Sequence, residues 1–452
     1  MQIIGKTYKG LEDILAKEIQ DLGGKNIEIG RRAISFEGNK TLLYKANLCC
    51  RTATRFLMPI ASFSAKNADE LYEQTKKIDW TQYMNVKTTF LIDSTVYSES
   101  FTHSQFVSYR VKDAIADFFM DKEEKRPSVN LSNPDIIINI HISDTTCTIS
   151  LDSSGESLHK RGYRKDQTEA PISEVLAAGM LLMAGWDGQS DFIDPMCGSG
   201  TILIEAALIA LNIPPGIFRK EFAFERWNDF DKDLFDEIYN DDSYERDFEY
   251  KIYGSDLSKI AIKIAEENIK NAGLNKYICL QQKNIAELEL EKNHRYLMVT
   301  NPPYGERIKP TQIHELYRTI GSMLKHQMTG NDAWIISSEE DLLSQIGMKP
   351  SIKKELINGA LNCLFCKYEI FSGSRKDHII AKIKRGEYKK EPKINRDRSK
   401  DYQPLNKTRA EKQKDRRRFF LGKNGNPGGK SSHGNKRFYS NKPTDKNYGG
   451  KQ

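Results

Sequence analysis

Apolar positions in this chain recur in two rhythms, a period near 3.6 and a period of 2, and from Pro171 onward the two alternate. The segments ISEVLAAGMLLMAGW, TILIEAALIAL, AIKIAEENIKNAG and IHELYRTIGSMLKH read as helices. Between them DFIDP, KIYGSDLS, YICLQQ, YLMVTNPPY and AWIISS read as strands. Strands that alternate with helices predict a mainly parallel sheet covered on both faces, over residues 171–385. Upstream the order is looser. Residues 1–50 combine the helical GLEDILAKEIQDLG with the strand RRAISFEG, which predicts a small α+β unit. Residues 51–155 open on the basic, aromatic RTATRFLMPIASF and continue through a helix over 68–78, the strand FLIDSTVYS, the helix VSYRVKDAIADFFMD and the strands DIIINIHIS and TCTISLDSS. A polar run over 156–170 joins the halves and concentrates Lys160, Arg161, Arg164 and Lys165. No internal repeat stands out.

Composition sharpens this picture at one end. With 452 residues, 38% hydrophobic and 29% charged, the chain has apolar material for large cores. Its longest conspicuous apolar stretch, Val175 to Trp186, is shorter than the roughly 20 residues that span a bilayer. No signal-peptide pattern opens the chain, and seven scattered cysteines suit a reducing compartment, so a cytoplasmic location without membrane contact is expected. The net charge of +7 is unevenly spread: residues 386–452 carry 20 Lys and Arg against seven Asp and Glu, a net of +13, leaving −6 for residues 1–385. That tail, poor in aliphatics and rich in Gly, Asn and Ser, is predicted to be disordered. Arg416, Arg417 and Arg418 beside Phe419 and Phe420, with Phe438, Tyr439 and Tyr448 further on, suit phosphates and stacked bases and point to RNA. A solubilising tail is the plainer reading. The basic linker residues Arg161, Arg164 and Lys165 are candidate RNA contacts on the same reasoning.

Three motifs carry chemistry. Asp194-Pro-Met-Cys-Gly198-Ser-Gly200-Thr201 sits between a strand and a helix, where glycines permit a tight turn and the helix N-terminus offers free N–H groups to an anion. It lacks the second half of GxGxxG and the lysine of a P-loop, which disfavours a nucleoside triphosphate. Asp256 ends the next strand, where a carboxylate can accept from both ribose hydroxyls. Its distance from Gly200 exceeds the usual ~20 residues, but residues 212–250 read as an insertion rich in acidic and aromatic residues. Asn301-Pro302-Pro303-Tyr304 follows the strand YLMVT. Two prolines remove competing N–H donors and stiffen the turn. The Asn301 amide oxygen and the Pro302 carbonyl are then acceptors for an exocyclic amino group, with Tyr304 as a stacking face. Such acceptors raise electron density on an otherwise delocalised amine and orient it for attack.

At these residues the chain resembles class I S-adenosylmethionine-dependent methyltransferases, and more closely the THUMP-domain RNA guanine-N2-methyltransferases. LHKRGYRKDQTEAPISEVLAAGML, ELYRTIGSMLK and INGALNCLFCKYEIF extend the likeness to about residues 1–385. The resemblance implies a ferredoxin-like and THUMP module that grips RNA, followed by a Rossmann-like catalytic domain using S-adenosyl-L-methionine. It places Gly198 and Gly200 at the methionine moiety with Asp194 nearby, Cys197 and Thr201 in the same turn, Asp256 at the ribose, and Asn301, Pro302, Pro303 and Tyr304 at the target base. Where the family has an acidic residue near the adenine, this chain offers Asn284 as the cofactor contact. Within FTHSQFVSYRVKDAI the resemblance marks Phe101, His103, Arg110 and Lys112 as RNA-side residues, with core packing the competing role for Phe101. Longer relatives fuse a second methyltransferase domain, whereas this chain continues into the basic tail.

Two smaller signals read structurally: Cys197, beside the glycine turn, reads as a small apolar residue lining the cofactor pocket in preference to a reactive thiol, and the other is a cysteine pair. Cys363 and Cys366 form a lone CxxC without a second ligand pair, so packing is preferred to zinc and no metal is expected. The expected reaction is methylation of guanine N2 in structured RNA of the large ribosomal subunit or an assembly intermediate. Transfer RNA as substrate, adenine N6 as target, and a non-catalytic RNA-binding or assembly role remain as alternatives. The sequence does not speak to oligomeric state.

Overall fold

The computed structural model describes residues 1–165, 172–304 and 310–373, with residues 376, 380, 383 and 384. The tail candidates Arg416, Arg417 and Arg418 lie outside the described residues. Residues Met1–Lys384 cluster as one compact unit, and within it two seven-stranded sheets divide the work.

The first sheet takes the chain through β1 (Gln2–Thr7), α1 (Glu12–Asp21), β2 (Lys25–Ile29), β3 (Ala33–Glu37), α2 (Lys40–Cys49), β4 (Ala53–Ser64), α3 (Ala68–Lys76), β5 (Phe90–Tyr97), α4 (Ser104–Glu123), β6 (Ile136–Ser143) and β7 (Thr146–Asp152). Its strand order is β2-β3-β1-β4-β7-β6-β5, and only β5 and β6 run parallel. The units expected on either side of residue 50 share this sheet. The twelve-residue β4 pairs with β1 (Ile4 opposite Leu57) and then along its length with β7 (Ser64 opposite Thr146). Asparagines start two of the helices: Asn39 accepts from the Leu42 N–H, and Asn67 from those of Asp69 and Glu70.

The second sheet follows α5 (Glu174–Met183) through β8 (Asp191–Asp194), α6 (Thr201–Ala210), α7 (Lys232–Tyr239), β9 (Ile252–Asp256), α8 (Lys259–Asn271), β10 (Ile278–Gln282), β11 (Tyr296–Thr300), α9 (Pro310–Gln327), β12 (Asp332–Ser337), α10 (Glu340–Gln345), β13 (Ile352–Asn358) and β14 (Leu361–Glu369). The order is β10-β9-β8-β11-β12-β14-β13, with β14 alone reversed. Helices α5 and α6 are apolar nearly all round because both are buried. The closing β13–β14 hairpin turns through Gly359 and Ala360, with Asn358 opposite Leu361 and Gly359 at φ +60°, the glycine a two-residue hairpin turn calls for. Cys363 and Cys366 fall on β14, both buried. Three residues apart on a strand, they face opposite sides and pack into the core instead of sharing a ligand.

The segment between α6 and β9 stays outside the sheet, as its composition suggested. It carries α7 and packs aromatic residues onto the ferredoxin-like half, where Phe224 stacks on Tyr44 of α2 at 4.3 Å with Phe235 edge-on at 5.7 Å. The insertion thus lengthens the spacing from Gly200 to Asp256 without parting β8 from β9.

Candidate active site and cofactor crevice

The chain runs from β8 outward to β9 and β10, then returns to place β11 on the other side of β8. In an open parallel sheet the crevice beyond the strand ends at such a reversal is where ligands bind. All three sequence motifs end there. Asp194 is the last residue of β8, Asp256 the last of β9, and Asn301 follows β11 directly.

The contacts are tight. The Thr300 hydroxyl donates to Asp194 Oδ1 (2.6 Å) and the Met196 N–H donates to the same atom (3.2 Å). Asp194 is 1% exposed, and burial raises its carboxyl pKa to about 7 against the pull of these bonds. The Gly198 N–H donates to Asp256 Oδ2 (3.0 Å) and the Ser258 N–H to Oδ1 (2.8 Å), so this carboxylate holds the glycine turn and keeps lone pairs for a further ligand. Gly198 (φ +53°) and Gly200 (φ +82°) both adopt the left-handed region. A Cβ on Gly200 would meet that of Ala265 in α8 at 3.2 Å, so here the missing side chain also serves helix packing. Helix α6 starts without a side-chain cap and has no acidic residue in its first turn, which leaves its N–H groups for a carboxylate. Cys197 is buried, and burial pushes its thiol well above the ordinary range, as suits an apolar lining residue and not a nucleophile. Asn284, two residues beyond β10, accepts from the Ala286 N–H through Oδ1 (3.0 Å), which leaves its amide N–H groups as donors. The Lys283 N–H donates to the Asp256 carbonyl (3.1 Å), which holds the chain just before Asn284 at the end of β9.

Asn301 contrasts with the satisfied groups of Asp194 and Asp256. Its Oδ1 is buried and accepts no hydrogen bond among the described residues. A buried acceptor left open costs about 1–3 kcal/mol, and this one, directly after β11 at the reversal of the sheet, can be satisfied by a donor that enters the crevice. Pro302 is buried; the Pro303 carbonyl lies 3.5 Å from the Tyr317 hydroxyl. Tyr304 departs from expectation. Its ring is 6% exposed, and its hydroxyl accepts from Asn358 Nδ2 (2.7 Å). The ring packs into the sheet's core and offers almost no open face for stacking, because β13 and β14 claim it.

The RNA candidates separate in the same way. Phe101 is 5% exposed and belongs to the core of the first sheet; an apolar ring preceding an amphipathic helix was buried like its neighbours Val107 and Val111. Arg161 is 2% exposed, donating to the Arg51 carbonyl (2.5 Å) and the Leu158 carbonyl (2.8 Å) and lying 3.5 Å from Glu205, so it faces protein and not solvent. Arg164 also turns inward, onto Thr201 and Glu174. That contact occupies the Thr201 hydroxyl, which is directed at the linker. Arg110 is half-buried over Tyr72 (4.7 Å) and paired with Asp69 (2.8 Å); Lys112 pairs with Asp113 (2.8 Å). His103 and Lys165 are exposed. Sequence reasoning missed Phe106 and Tyr109, 51% and 52% exposed on the first turns of α4, and Tyr97, 65% exposed at the end of β5. The helical period held the signal: with Val107, Val111, Ala114 and Ile115 facing inward, positions 106 and 109 fall off the buried stripe. Among the described residues no group of three or more His, Cys, Asp and Glu is placed to hold a metal, and no helix is long and apolar enough to cross a membrane.

A sheet with one reversed strand next to its far edge, a glycine turn after β8, an acid at the end of β9 and Asn-Pro-Pro after β11 define a class I methyltransferase, whose cofactor is S-adenosyl-L-methionine. The residues fit that group: an uncapped helix N-terminus for its carboxylate and Asp256 for its ribose. The chain belongs to the family of the RMKL-like methyltransferase domain, which matches residues 161–367, and carries a THUMP domain over 65–152 and an RlmL ferredoxin-like domain over 2–57. It is 40% identical over 366 residues to a protein of Synechocystis sp. named "Putative RNA methyltransferase", covering 80% of this chain and 95% of that one. It is 37% identical over 382 residues to "Ribosomal RNA large subunit methyltransferase K/L" of Marinomonas sp., covering 82% of this chain and 53% of that enzyme, so it spans about half the length of such relatives. Among solved structures, a "possible methylase" from Clostridium difficile 630 superimposes with a TM-score of 0.75 at 34% identity, over 83% of this chain and 99% of that one. "SMU.472, a putative methyltransferase complexed with SAH" gives 0.75 at 28%, over 82% and 99%. A "predicted N6-adenine-specific DNA methylase" from Listeria monocytogenes gives 0.74 at 30%, over 82% and 96%.

Proposed function

We propose that this protein transfers a methyl group from S-adenosyl-L-methionine to N2 of a guanine in large-subunit ribosomal RNA. The observation that carries the amine as target is the buried, unpartnered Oδ1 of Asn301 at the reversal point of the sheet. S-adenosylmethionine supplies an electrophilic methyl on a sulfonium. The Asn301 oxygen and the Pro302 carbonyl accept the two amino protons, which localises the nitrogen lone pair and aims it along the line of attack. The proton that leaves after transfer passes to water. Asp256 and the α6 N-terminus hold the cofactor, and the THUMP half, with Phe106, Tyr109 and Tyr97 exposed, holds the RNA. A guanine within a stem is flipped out to reach Asn301.

The name of the K/L relatives supports the ribosomal substrate. The same acceptor pair serves the amino group of adenine, and one structural neighbour bears an adenine-N6 name. Mass-spectrometric mapping of methylated nucleosides in ribosomal and transfer RNA, from wild-type and deletion cells, separates these readings. Loss of one N2-methylguanosine from the large ribosomal RNA is expected. Loss from transfer RNA moves the substrate, loss of N6-methyladenosine moves the target, and no loss with intact RNA binding makes the protein a binding factor.

A further inference from the structure

Of the linker residues expected at RNA, Arg164 instead reaches the cofactor turn. Arg164 donates one guanidinium nitrogen to both Thr201 Oγ1 (2.6 Å) and the Ile172 carbonyl (3.0 Å), and its Nε lies 3.3 Å from Glu174 Oε1. The next residue adds a second anchor. The Lys165 N–H donates to Asn268 Oδ1 (3.3 Å), and Asn268 Nδ2 donates to the Ser199 carbonyl (3.1 Å). Asn268 is 1% exposed on α8. Just upstream, the Tyr163 hydroxyl donates to Glu205 of α6 (2.9 Å), and Asn271 of α8 donates to the Tyr163 carbonyl (3.3 Å). Ser199 stands between the two left-handed glycines and Thr201 is the first residue of α6, so both anchors grip the turn itself.

Glycine confers the shape of this turn but no rigidity, since neither Gly198 nor Gly200 has a side chain to lock it. Its order must come from outside. We propose that Arg164, acting on Thr201, and Asn268, acting on Ser199, are positioning residues that set the cofactor turn, and that the strap leaving the RNA-binding half is thereby built into the cofactor pocket. Neither residue touches the reacting atoms. This role does not depend on which base or which RNA is methylated.

The test uses the full-length protein and S-adenosylhomocysteine as probe. Calorimetry on Arg164→Met should show its dissociation constant raised about tenfold or more, the scale of losing a charge-assisted bond. Arg164→Lys should recover part of the loss, and Asn268→Ala should fall between them. In turnover assays the KM for S-adenosylmethionine should rise more than kcat falls, with RNA affinity by filter binding unchanged. A role confined to holding the linker would lower the melting temperature and leave the dissociation constant alone. Should Arg164→Met fail to fold by circular dichroism, Thr201→Val removes only the acceptor and asks the same question. Folded variants that bind S-adenosylhomocysteine within twofold of wild type overturn the proposal, as does lost RNA affinity with cofactor affinity intact.

Discussion

The two halves of this chain each build a seven-stranded sheet, yet they gather chemistry in opposite ways. In the second sheet, β8, β9, β10, β11 and β12 run parallel, so residues at their carboxyl ends meet on one edge however far apart they lie in sequence. Asp194 and Thr300 are bonded across 106 positions for that reason. In the first sheet neighbouring strands mostly reverse, so strand ends alternate between its two edges instead of meeting on one. What remains is a face and an exposed helix start, with Phe106, Tyr109 and Tyr97 displayed singly. A parallel sheet suits a reaction, which needs convergent groups; the mixed sheet suits an extended polymer, which needs area.

Breaking the convergent edge should cost most. Asn301→Ala should lower methyl transfer by about a hundredfold to a thousandfold, the range for removing one pre-aligned polar partner, with S-adenosylhomocysteine binding retained; radiolabelled methyl incorporation measures it, and a loss under tenfold refutes the acceptor role. In the first sheet, Phe101→Ala should destabilise the fold by about 3–5 kcal/mol in urea unfolding, whereas Phe106→Ala should leave stability nearly unchanged. Equal effects would erase the assignment of one ring to the core and the other to the surface.

Asp194 makes the comparison sensitive to pH. Its carboxyl ionises near 3.8 in the unfolded chain and at about 7 when folded. Between those values the folded state holds a proton the unfolded state lacks, so the stability this group contributes is present at low pH and is lost as pH rises through about 7. Wild type should therefore lose about 2–3 kcal/mol more than Asp194→Asn between pH 5 and pH 8, read from urea midpoints; parallel profiles would mean the carboxyl is ionised throughout.

Smaller effects sharpen the RNA side. Phe106→Ala and Tyr109→Ala should each weaken RNA binding by about 1–3 kcal/mol if each ring stacks a base, without altering cofactor affinity. Removing Gly386–Gln452 should flatten the salt dependence of RNA binding by about 0.7–0.9 in log–log slope for each phosphate the tail neutralises; an unchanged slope would make the tail a bystander.

Much of the catalytic half was legible in the chain because its signals are local. The alternation from ISEVLAAGML to AWIISS predicted the elements, and DPMCGSGT, Asp256 and NPPY each lie where a strand ends, so the parallel topology carried them to one edge. Charge was a poorer guide. Arg161, Arg164 and Lys165 look alike in sequence, but their surroundings differ: Arg161 and Arg164 meet buried carboxylates of α6 and α5, while Lys165 meets solvent. Phe101 and Phe106 differ in the same way. Periodicity and turn chemistry depend on neighbours a few residues away, so most strands and helices of the catalytic half, and the chemistry at the strand ends, could be read along the chain. Burial and hydrogen-bond partners depend on segments far apart in the chain. The sharing of β4 by the two N-terminal units, the packing of Tyr304 against the final hairpin, the open acceptor of Asn301 and the reach of Arg164 to the cofactor turn therefore emerge only once the chain is folded.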